Sequence, residues 1–460
     1  MKAKFIVTTI LGTFLMSITI LAQEGKYESI NSGVVWFDQN NNTVSAHGAC
    51  IVKEGELYYL FGEFKSDTAN AFVGFACYSS SDLINWKFEN TVLPRQKNGL
   101  LGPDRVGERP KVMKCPATGE FIMYMHCDDL KYNDPHVGYA TCKTINGNYE
   151  FQGSILQDGS YIRKWDLGSF QDSDGKGYLL THEGFIYELS TDYKSVKRLV
   201  VSDVAKGGES PAMFKSNGLY FWLFSNKTSW ERNDNYYLTA HSIEGPWIHR
   251  GLFAPEGSLT WNSQCSFVLP IITGNDTLNM YMGDRWSFPK QNSAATYVWQ
   301  PITVKGDEMS IPQFYESWNF DKNGSWFPVN YNFRLIENNV KTQGKWDITD
   351  DMFRSNEKGA IITFSFTGEQ ISMRSKSNNT SGYARVILKN SKDQEVINTV
   401  VDFYCKNETP ELKFISPLLN PDNYTFSVEV LGEHPFWSDK RVNHYGSTDN
   451  YIIITNVLYR

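Results

Sequence analysis

Between about Tyr27 and Val304, the hydrophobic positions fall in short aromatic and β-branched runs rather than in helical periods. A Gly or Asn-Gly turn opens each run, and a polar loop and a second run follow it. This pattern of turn, strand-like run, polar loop and second run recurs five times at intervals of roughly 45 to 65 residues. It predicts an all-β propeller with about five blades. An irregular sandwich is the alternative. The five opening runs are Gly55–Phe61, Gly119–Tyr124, Gly175–Leu180, Gly218–Trp222 and Asn275–Met282.

The pattern changes after Pro301. The chain has 460 residues, which exceeds the roughly 250 to 300 residues at which a single core stops growing, so two domains are expected. Short alternating strands after residue 342 predict a second all-β domain, most simply a β-sandwich. The predicted order is a propeller over 23–304, a linker packing on it over 305–341, and a carbohydrate-binding-like or supporting sandwich over 342–460.

The amino terminus resembles an export signal. Lys2 and Lys4 precede an apolar run from Phe5 to Leu21, and Ala22-Gln23 fits a cleavage site. A signal peptide over 1–22 and a secreted or periplasmic location are therefore expected, with a membrane anchor as the alternative. The seven cysteines lack CxxC spacing, so most are predicted to be buried thiols, and one bridge stays open.

The net charge of the chain limits the kinds of molecule that it can bind. The formal net charge is -7, and no basic stripe is available to neutralise phosphates, so nucleic acid is excluded as a partner. Aromatic residues make up 15% of the chain, and the few that line a site would suit a neutral ligand such as a sugar. We expect a monomer without membrane insertion.

Three stretches place a carboxylate beside a predicted strand. Glu209 lies between a Gly pair and Pro211, Glu108 opens a second such stretch, and Asp166 a third. If these strands converge at one end, the three carboxylates meet and can divide into proton donor, acceptor and tuner. The chain has neither a Gly-x-Ser-x-Gly elbow nor an HExxH motif. Acid-assisted cleavage of a glycoside is the reaction that needs carboxylates alone.

Each candidate has a structural alternative. Glu209 could accept backbone N–H bonds within a turn, as many loop acids do. Glu108 could form an internal ion pair with Arg109. Asp166 could cap the turn before Phe170, and Gln264 could be a satisfied core amide.

The same stretches resemble a known family. The chain is similar to glycoside hydrolase family 43, and within it to the exo-β-1,3-galactanase branch. This resemblance implies a five-bladed propeller, an inverting reaction, Glu209 as general acid and Asp166 as the modulator that orients it and keeps its pKa high. The motifs are Ala46-His47-Gly48-Ala49, Lys53 to Glu63, Glu108-Arg109-Pro110-Lys111, Asp166 before Phe170, Glu209-Ser-Pro-Ala212, Ser263-Gln264 and Gly283-Asp-Arg-Trp286.

One departure from the family concerns the base. Most members carry an Asp where this chain has His47, and the galactanase branch shares the loss. In that branch a Gln, matched by Gln264, is thought to hold the attacking water as an imidic acid, with a Glu matching Glu108 nearby. An amide oxygen accepts a hydrogen bond but hardly a proton, so the base role is divided between Gln264, which positions water, and Glu108.

Further residues are predicted to contact the sugar, and no cofactor is expected, although a structural cation such as calcium stays open. The predicted activity is exo-acting release of galactose from β-1,3-galactan, the backbone of arabinogalactan. The alternatives are an α-L-arabinofuranosidase, a β-xylosidase or a non-catalytic glycan-binding propeller. In the second domain, exposed Trp437 and Tyr445 would stack on sugar, or would belong to a packed core edge. The predicted sugar-contacting residues of the first domain are His47, Glu63, Tyr124, Trp230, Asn233, Asp284 and Trp286.

Overall fold

The structure, a computed structural model, describes residues 26–274, 276–439 and 441–460. The prediction of an all-β chain is confirmed, because strands dominate these ranges and helical turns occur only at Gly99–Leu101 and Leu259–Asn262. Neither of these turns is long and apolar enough to cross a membrane. The predicted signal peptide over 1–22 lies outside the described residues. All seven cysteines are free thiols and six are buried, as predicted.

Five sheets follow one another between residues 47 and 301, and their strands pair antiparallel except for Leu156–Gln157, which pairs parallel with Val196–Val201 in the third sheet. Sheet 1 contains His47–Glu54, Leu57–Phe64, Gly74–Ser80 and Lys87–Pro94. Sheet 2 contains Arg105–Lys114, Phe121–Asp129, His136–Cys142 and Glu150–Ser154. Sheet 3 contains Leu167–Gln171, Gly177–Thr181, Phe185–Leu189 and Val196–Val201, extended by Leu156–Gln157 and Ser160–Tyr161. Sheet 4 contains Gly208–Ser216, Leu219–Asn226, Tyr236–Ala240 and Ile248–Leu252. Sheet 5 contains Gln264–Thr273, Asp276–Arg285 and Thr296–Pro301.

The five sheets contact one another in a ring. The first strand of each sheet contacts the first strand of the next, and the first strand of sheet 5 contacts that of sheet 1. Ser32 and Gly33, near the amino terminus, donate hydrogen bonds to the carbonyls of Trp299 and Tyr297 in the last strand of sheet 5. Early and late parts of the chain are thereby joined.

Hydrophobic cores fill the space between neighbouring sheets, so the middle strands are buried on both faces. Phe221 of sheet 4 packs with Val298 of sheet 5, and Trp222 on the opposite face packs with Leu180 of sheet 3. Burial on both faces explains why Leu219–Asn226 reads as a continuous apolar run instead of an alternating one. Truncating such a residue, for example Phe221→Ala, would cost roughly 3–5 kcal/mol.

Residues 334–460 form further sheets. Phe414 of one large sheet packs on Phe426 of the other, with ring centroids 5.3 Å apart. The four-stranded sheet contains Arg334–Leu335, Asn456–Tyr459, Ile371–Ser377 and Thr409–Ile415. The five-stranded sheet contains Val340–Gln343, Ile361–Gly368, Asp422–Val430, Tyr383–Lys389 and Glu395–Asp402. Smaller sheets pair Asp347–Ile348, Phe353–Ser355 and Ile452–Ile454, and Phe436–Ser438 with His444–Gly446.

Short strands connect the two parts. Ile30–Asn31, Ser317–Phe320 and Trp326–Pro328 form one small sheet, and Thr303–Lys305 pairs with Glu308–Ser310. Trp318, in the linker that was predicted to pack on the first part, is fully buried, and its indole N–H donates to the carbonyl of Trp299.

Candidate active site

The start of the first strand in each of the five sheets carries one candidate side chain. In sheets 1 to 5 these side chains are His47, Glu108, Asp166, Glu209 and Gln264, of which Glu108 is the fourth residue of its strand and Asp166 directly precedes its strand. Because the first strands form the ring of contacts, their starts converge at one end of it.

Bulged backbone aims these side chains. The strand register shifts just after His47, Glu108 and Glu209, where the next residue, Gly48, Arg109 or Ser210, has a positive φ. Such bulges re-aim side chains and are common beside active sites. A Cβ on Gly168 would lie 2.2 Å from the carbonyl oxygen of Pro211, so this position needs glycine for sheets 3 and 4 to approach.

Arg109, in the first strand of sheet 2, bonds residues from each of the other four sheets. Its Nε lies 2.9 Å from Oδ1 of Asp166, and Nη2 donates to Oγ of Ser210 at 2.6 Å and to Oε1 of Gln264 at 2.7 Å. Its backbone N–H donates to Oε1 of Glu63 at 2.9 Å. The guanidinium is buried, and a planar set of N–H donors suits such a multidentate role. The alternative that Arg109 forms an ion pair with Glu108 is wrong, since its carboxylate partner is Asp166.

Asp166 acts across sheets rather than within a local turn. Its Oδ2 accepts hydrogen bonds from the backbone N–H and the hydroxyl of Ser210, at 3.1 and 3.2 Å. Ser210 follows Glu209 in the chain. The contact therefore places the Asp166 charge beside the proposed proton donor.

The amide of Gln264 uses its full hydrogen-bonding capacity. Oε1 accepts from Arg109 and, at 2.8 Å, from the indole N–H of Trp286. Nε2 donates at 3.1 Å to Oε1 of Glu209 and at 3.1 Å to Oγ of Ser225. Two donors on the oxygen and a carboxylate at the nitrogen fix the orientation of the amide. The two N–H donors at Oε1 also favour the amide over the imidic acid tautomer of Gln264. The imidic acid would place an O–H group against the N–H groups of Arg109 and Trp286, which can only donate.

Glu209 is positioned to carry a proton. Burial raises the pKa of its carboxyl well above the ordinary value, and the Asp166 charge raises it further. The charges of Arg109 and Lys227 and the hydrogen bond from Gln264 only partly offset these effects. A carboxylic acid with a raised pKa suits a general acid. The alternative that Glu209 is a turn carboxylate is not supported. The hydrogen bond to its Oε1 comes from the Gln264 side chain of another sheet and not from backbone N–H groups of its own turn.

Glu108 has the opposite environment. Burial raises the pKa of this carboxyl, but the Lys65 ammonium and His126 outweigh burial and leave it well below the ordinary value. Lys65 Nζ lies 3.6 Å from Oε1 of Glu108, and Nδ1 of His126 lies 3.3 Å from Oε2. Tyr132 and Asn70 donate to Oε1 at 2.8 and 2.9 Å. Glu108 is therefore an ionised carboxylate, unlike Glu209.

Glu63, His47 and Asp284 are further buried polar residues of the site. Glu63 Oε2 lies 2.5 Å from Nζ of Lys65, and burial raises the pKa of Glu63 although the ammonium opposes it. Asp284 accepts from the backbone N–H of Gly48 at 3.1 Å and lies 3.1 Å from Nδ1 of His47. These side chains and Trp286 lie in one buried network with the predicted catalytic residues.

A left-handed turn precedes Gln264. Leu259, Thr260, Trp261 and Asn262 all have positive φ values between 50° and 57°, and the N–H of Ser263 donates to the carbonyl of Leu259. Left-handed helix costs roughly 1–2 kcal/mol per residue, so four residues cost on the order of 4–8 kcal/mol. Surrounding contacts stabilise the turn. The hydroxyl oxygen of Thr260, for example, accepts from the N–H of Asn235 at 2.6 Å.

Two predicted sugar-contacting residues of the first domain have other roles. Tyr124 is fully buried in a core with Leu179, and its hydroxyl donates to the carbonyl of Tyr193 at 2.7 Å. Asn233 stabilises its own loop, because its side-chain nitrogen donates to the carbonyl of Asn226 and its side-chain oxygen accepts from the backbone N–H of Asn226. The prediction that Tyr124 contacts the sugar was wrong, because its side chain is fully buried. Sugar contact by Asn233, which is partly exposed, stays a prediction.

The aromatic candidates near the second part of the chain pack on one another. Trp230 stacks on Phe288 with centroids 4.5 Å apart and meets the edge of Trp437 at 6.5 Å. Trp437 is buried and stacks on Tyr445 at 5.9 Å. The prediction of an exposed Trp437 was wrong, and the packed-edge alternative is confirmed.

Several residues of the site escaped the sequence analysis. Arg109 and Lys65 supply its cations, and Ser210 and Ser225 bond Asp166 and Gln264. Trp165, which precedes Asp166, stacks on His182 at 3.5 Å and is half-buried. Arg109 stands in the Glu-Arg-Pro-Lys motif, which was the one available signal. Among the described residues, no cluster of three or more His, Cys, Asp or Glu could hold a metal.

Comparisons with known proteins agree with this geometry. A crystal structure from Bifidobacterium bifidum s17, assigned as an exo-β-1,3-galactanase, is 36% identical, with a TM-score of 0.58, over 61% of this chain and 95% of its own. The exo-β-1,3-galactanase of Phanerochaete chrysosporium was solved as a glutamate-to-glutamine variant with β-1,3-galactotriose. It is 25% identical, with a TM-score of 0.69, over 94% of this chain and 99% of its own.

A curated relative and a family match complete the comparisons. The β-D-galactofuranosidase of Aspergillus niger is 27% identical over 203 residues, which are 41% of this chain and 59% of that protein. This chain therefore spans less than two thirds of that relative. Residues 42–251 match the sequence model named Glycosyl hydrolases family 43. With a relative at 36% identity covered over 95% of its length, the chain belongs to glycoside hydrolase family 43.

Proposed function

We propose that the protein is an exo-acting, inverting glycoside hydrolase that releases galactose from β-1,3-galactan. The observation that carries the proposal is the raised pKa of Glu209 within the Asp166, Arg109 and Gln264 network. Galactotriose bound to the Phanerochaete chrysosporium relative supports the choice of sugar and linkage.

In this mechanism Glu209 donates its proton to the glycosidic oxygen as the bond to C1 breaks. The charge of Asp166, which lies 2.9 Å from Nε of Arg109, helps to keep Glu209 protonated. Arg109 holds Asp166, Ser210 and Gln264 in one arrangement, and Gln264 fixes the carboxyl of Glu209 through its N–H.

We assign the attacking water to Glu108. An inverting enzyme needs about 6.5–9.5 Å between acid and base so that a water fits between them. Gln264 touches Glu209 at 3.1 Å, which leaves no room for that water. Glu108 is ionised and carries no proton of its own. Its lowered pKa makes it a weak base, so it orients the water and accepts the proton late in bond formation.

The second candidate is a glycosidase for furanosides. The Aspergillus niger relative favours it, since that protein is named a β-D-galactofuranosidase and is 27% identical to this chain over 203 residues. An α-L-arabinofuranosidase, a β-xylosidase and a non-catalytic glycan-binding propeller complete the alternatives. The raised pKa of Glu209 argues against the non-catalytic form, because a binding protein gains nothing from a protonated carboxyl at this place.

The architecture belongs to the same proposal. The ring of five sheets supports a five-bladed propeller over 23–304, followed by a linker over 305–341 and a β-sandwich over 342–460. Export through a signal peptide over 1–22 would give a secreted or periplasmic enzyme. We further propose that it acts as a monomer on an oligosaccharide or polysaccharide, with no nucleic-acid partner, no membrane insertion and no catalytic cofactor.

The test compares substrates with one protein preparation. β-1,3-Galactobiose and β-1,3-galactotriose should release galactose, whereas aryl α-L-arabinofuranoside, aryl β-xyloside and aryl β-galactofuranoside should react far more slowly. Proton NMR at early times should show α-galactose first. Release from furanosides alone, or β-galactose as the first product, would contradict the proposal, and binding without release would favour the non-catalytic alternative.

A further inference from the structure

Four consecutive residues at the end of the second strand of sheet 5 face two different parts of the protein. Asp284 contacts His47, and Trp286 contacts Gln264, so both face the active site. Arg285 and Ser287 point the other way, toward residues after 370. Side chains alternate between the two faces of an extended strand, which explains this division.

Arg285 anchors the segment by a buried ion pair. Its Nη1 lies 2.7 Å from Oε2 of Glu411, and both side chains are at least nine-tenths buried. Glu411 also pairs with Lys413 at 2.7 Å. Nη2 of Arg285 donates to the carbonyl of Trp261 in the left-handed turn before Gln264. One guanidinium therefore connects the second part of the chain to two segments of the active site.

Ser287 supplies a second anchor. Its hydroxyl donates to Oδ2 of Asp402 at 2.9 Å, and its carbonyl accepts from the hydroxyl of Tyr383 at 2.9 Å. All three residues are buried. The backbone on both sides of Trp286 is thus fixed by residues of the carboxy-terminal sheets.

A neighbouring loop is held in the same way. Tyr404 donates its hydroxyl to Oε2 of Glu231 at 2.7 Å, and the guanidinium of Arg232 lies 4.9 Å from the centre of the Tyr404 ring. This loop follows Ser225, which accepts from the amide of Gln264. Two partners of Gln264, Trp286 and Ser225, therefore adjoin a segment or loop that is held from the carboxy-terminal side.

We propose that the carboxy-terminal domain is a structural part of the active site, and that Glu411 and Asp402 are positioning residues. They act through Arg285 and Ser287 on Asp284 and Trp286, and thereby on His47 and Gln264. The inference rests on the proposed function for its kinetic consequences, and it assigns to this domain a role other than binding sugar.

The first test measures kinetics of full-length variants on β-1,3-galactobiose, whose poor leaving group depends on the proton of Glu209. Glu411→Gln and Asp402→Asn should lower kcat about ten- to a hundredfold, as expected for displacement of catalytic groups by a remote change. KM should change less. Glu408→Gln is the matched control, since Glu408 is an exposed neighbour paired with Lys376. Should Glu411→Gln keep full kcat while only its melting temperature falls, the residue is merely structural and the proposal is wrong.

A double-variant comparison identifies the route of the effect. If Glu411 acts through Trp286, then Glu411→Gln combined with Trp286→Phe should be little slower than Trp286→Phe alone. If the losses in kcat of the two single variants multiply in the double variant, this route is contradicted. Ser287→Ala provides a milder variant that leaves no buried cation unpaired, in case Glu411→Gln fails to fold.

Hydrogen exchange gives a readout that does not depend on catalysis. Backbone amides of 284–288 should exchange faster in Glu411→Gln, Asp402→Asn and Ser287→Ala than in the wild type or Glu408→Gln. If the wild type hydrolyses no glycoside, the proposed function fails, yet faster exchange confined to these variants would still support the positioning role. Unchanged exchange would overturn it.

Discussion

The side-chain nitrogen of Gln264 lies 3.1 Å from Oε1 of Glu209, a bond between the first strands of sheets 5 and 4. The oxygen of the same amide accepts from Arg109 and Trp286. Gln264 therefore contacts the proposed proton donor, and we propose Glu108 instead of Gln264 as the residue that activates water.

The proton-donor role of Glu209 is tested by Glu209→Gln. Hydrolysis of β-1,3-galactobiose should fall roughly a hundredfold to ten-thousandfold, because general acid catalysis contributes that much to a poor leaving group. An aryl galactoside with an acidic phenol leaves without a proton, so its kcat should fall much less. Initial rates on both substrates check the expectation. Equal losses on the two would argue against an acid role.

The pH dependence tests the pairing of Asp166 with Glu209. Activity requires protonated Glu209, so the rate should fall as pH rises through its raised pKa. Asp166→Asn removes the negative charge that helps to raise this pKa, while an amide oxygen can still accept from Arg109. The alkaline limb of kcat/KM should therefore move to lower pH.

The matched control for that profile is Asp174→Asn, since Asp174 is exposed and pairs only with nearby Lys176. Its alkaline limb should coincide with that of the wild type. An unmoved limb in Asp166→Asn would mean that Asp166 does not tune the donor.

Chemical rescue tests the assignment of the water to Glu108. Glu108→Gln should lose hydrolysis of an aryl β-galactoside, and added azide should restore release of the phenol. Azide would form a bond to C1 on the face opposite the leaving group, giving α-galactosyl azide, which NMR identifies. Rescue of Gln264→Ala in place of Glu108→Gln would return the role to Gln264.

The central role of Arg109 is tested by Arg109→Lys, which keeps the charge and removes the multidentate geometry. An ammonium cannot reach Asp166, Ser210 and Gln264 together, so kcat should fall about ten- to a hundredfold. Stability should fall by about 1–3 kcal/mol for acceptors left unpaired.

Arg198→Lys is the control for this change, because Arg198 is half exposed on an outer strand and pairs with Glu188 and Glu244. It should behave like the wild type in rate and in thermal unfolding. A wild-type kcat in Arg109→Lys would show that the charge alone suffices.

The amino-acid sequence alone predicted the strands and supplied the main candidate site residues. Runs such as Leu219–Asn226 are apolar on both faces because they lie between two sheets, and this is visible without a structure. Glu108, Asp166, Glu209 and Gln264 each stand at or near the start of a strand, so a convergent fold brings them together.

Only the tertiary structure decided which side chains pair. Arg109 bonds Asp166 and Gln264, which lie 57 and 155 residues away, and no local pattern specifies such partners. Leu-Thr-Trp-Asn predicts no left-handed turn, since bulky residues disfavour it, and contacts such as that of Thr260 with Asn235 hold it. The spacing of hydrophobic positions along the chain shows which residues are buried. Which side chains pair between sheets depends on how the five sheets contact one another in a ring and on the carboxy-terminal part of the chain that packs against them.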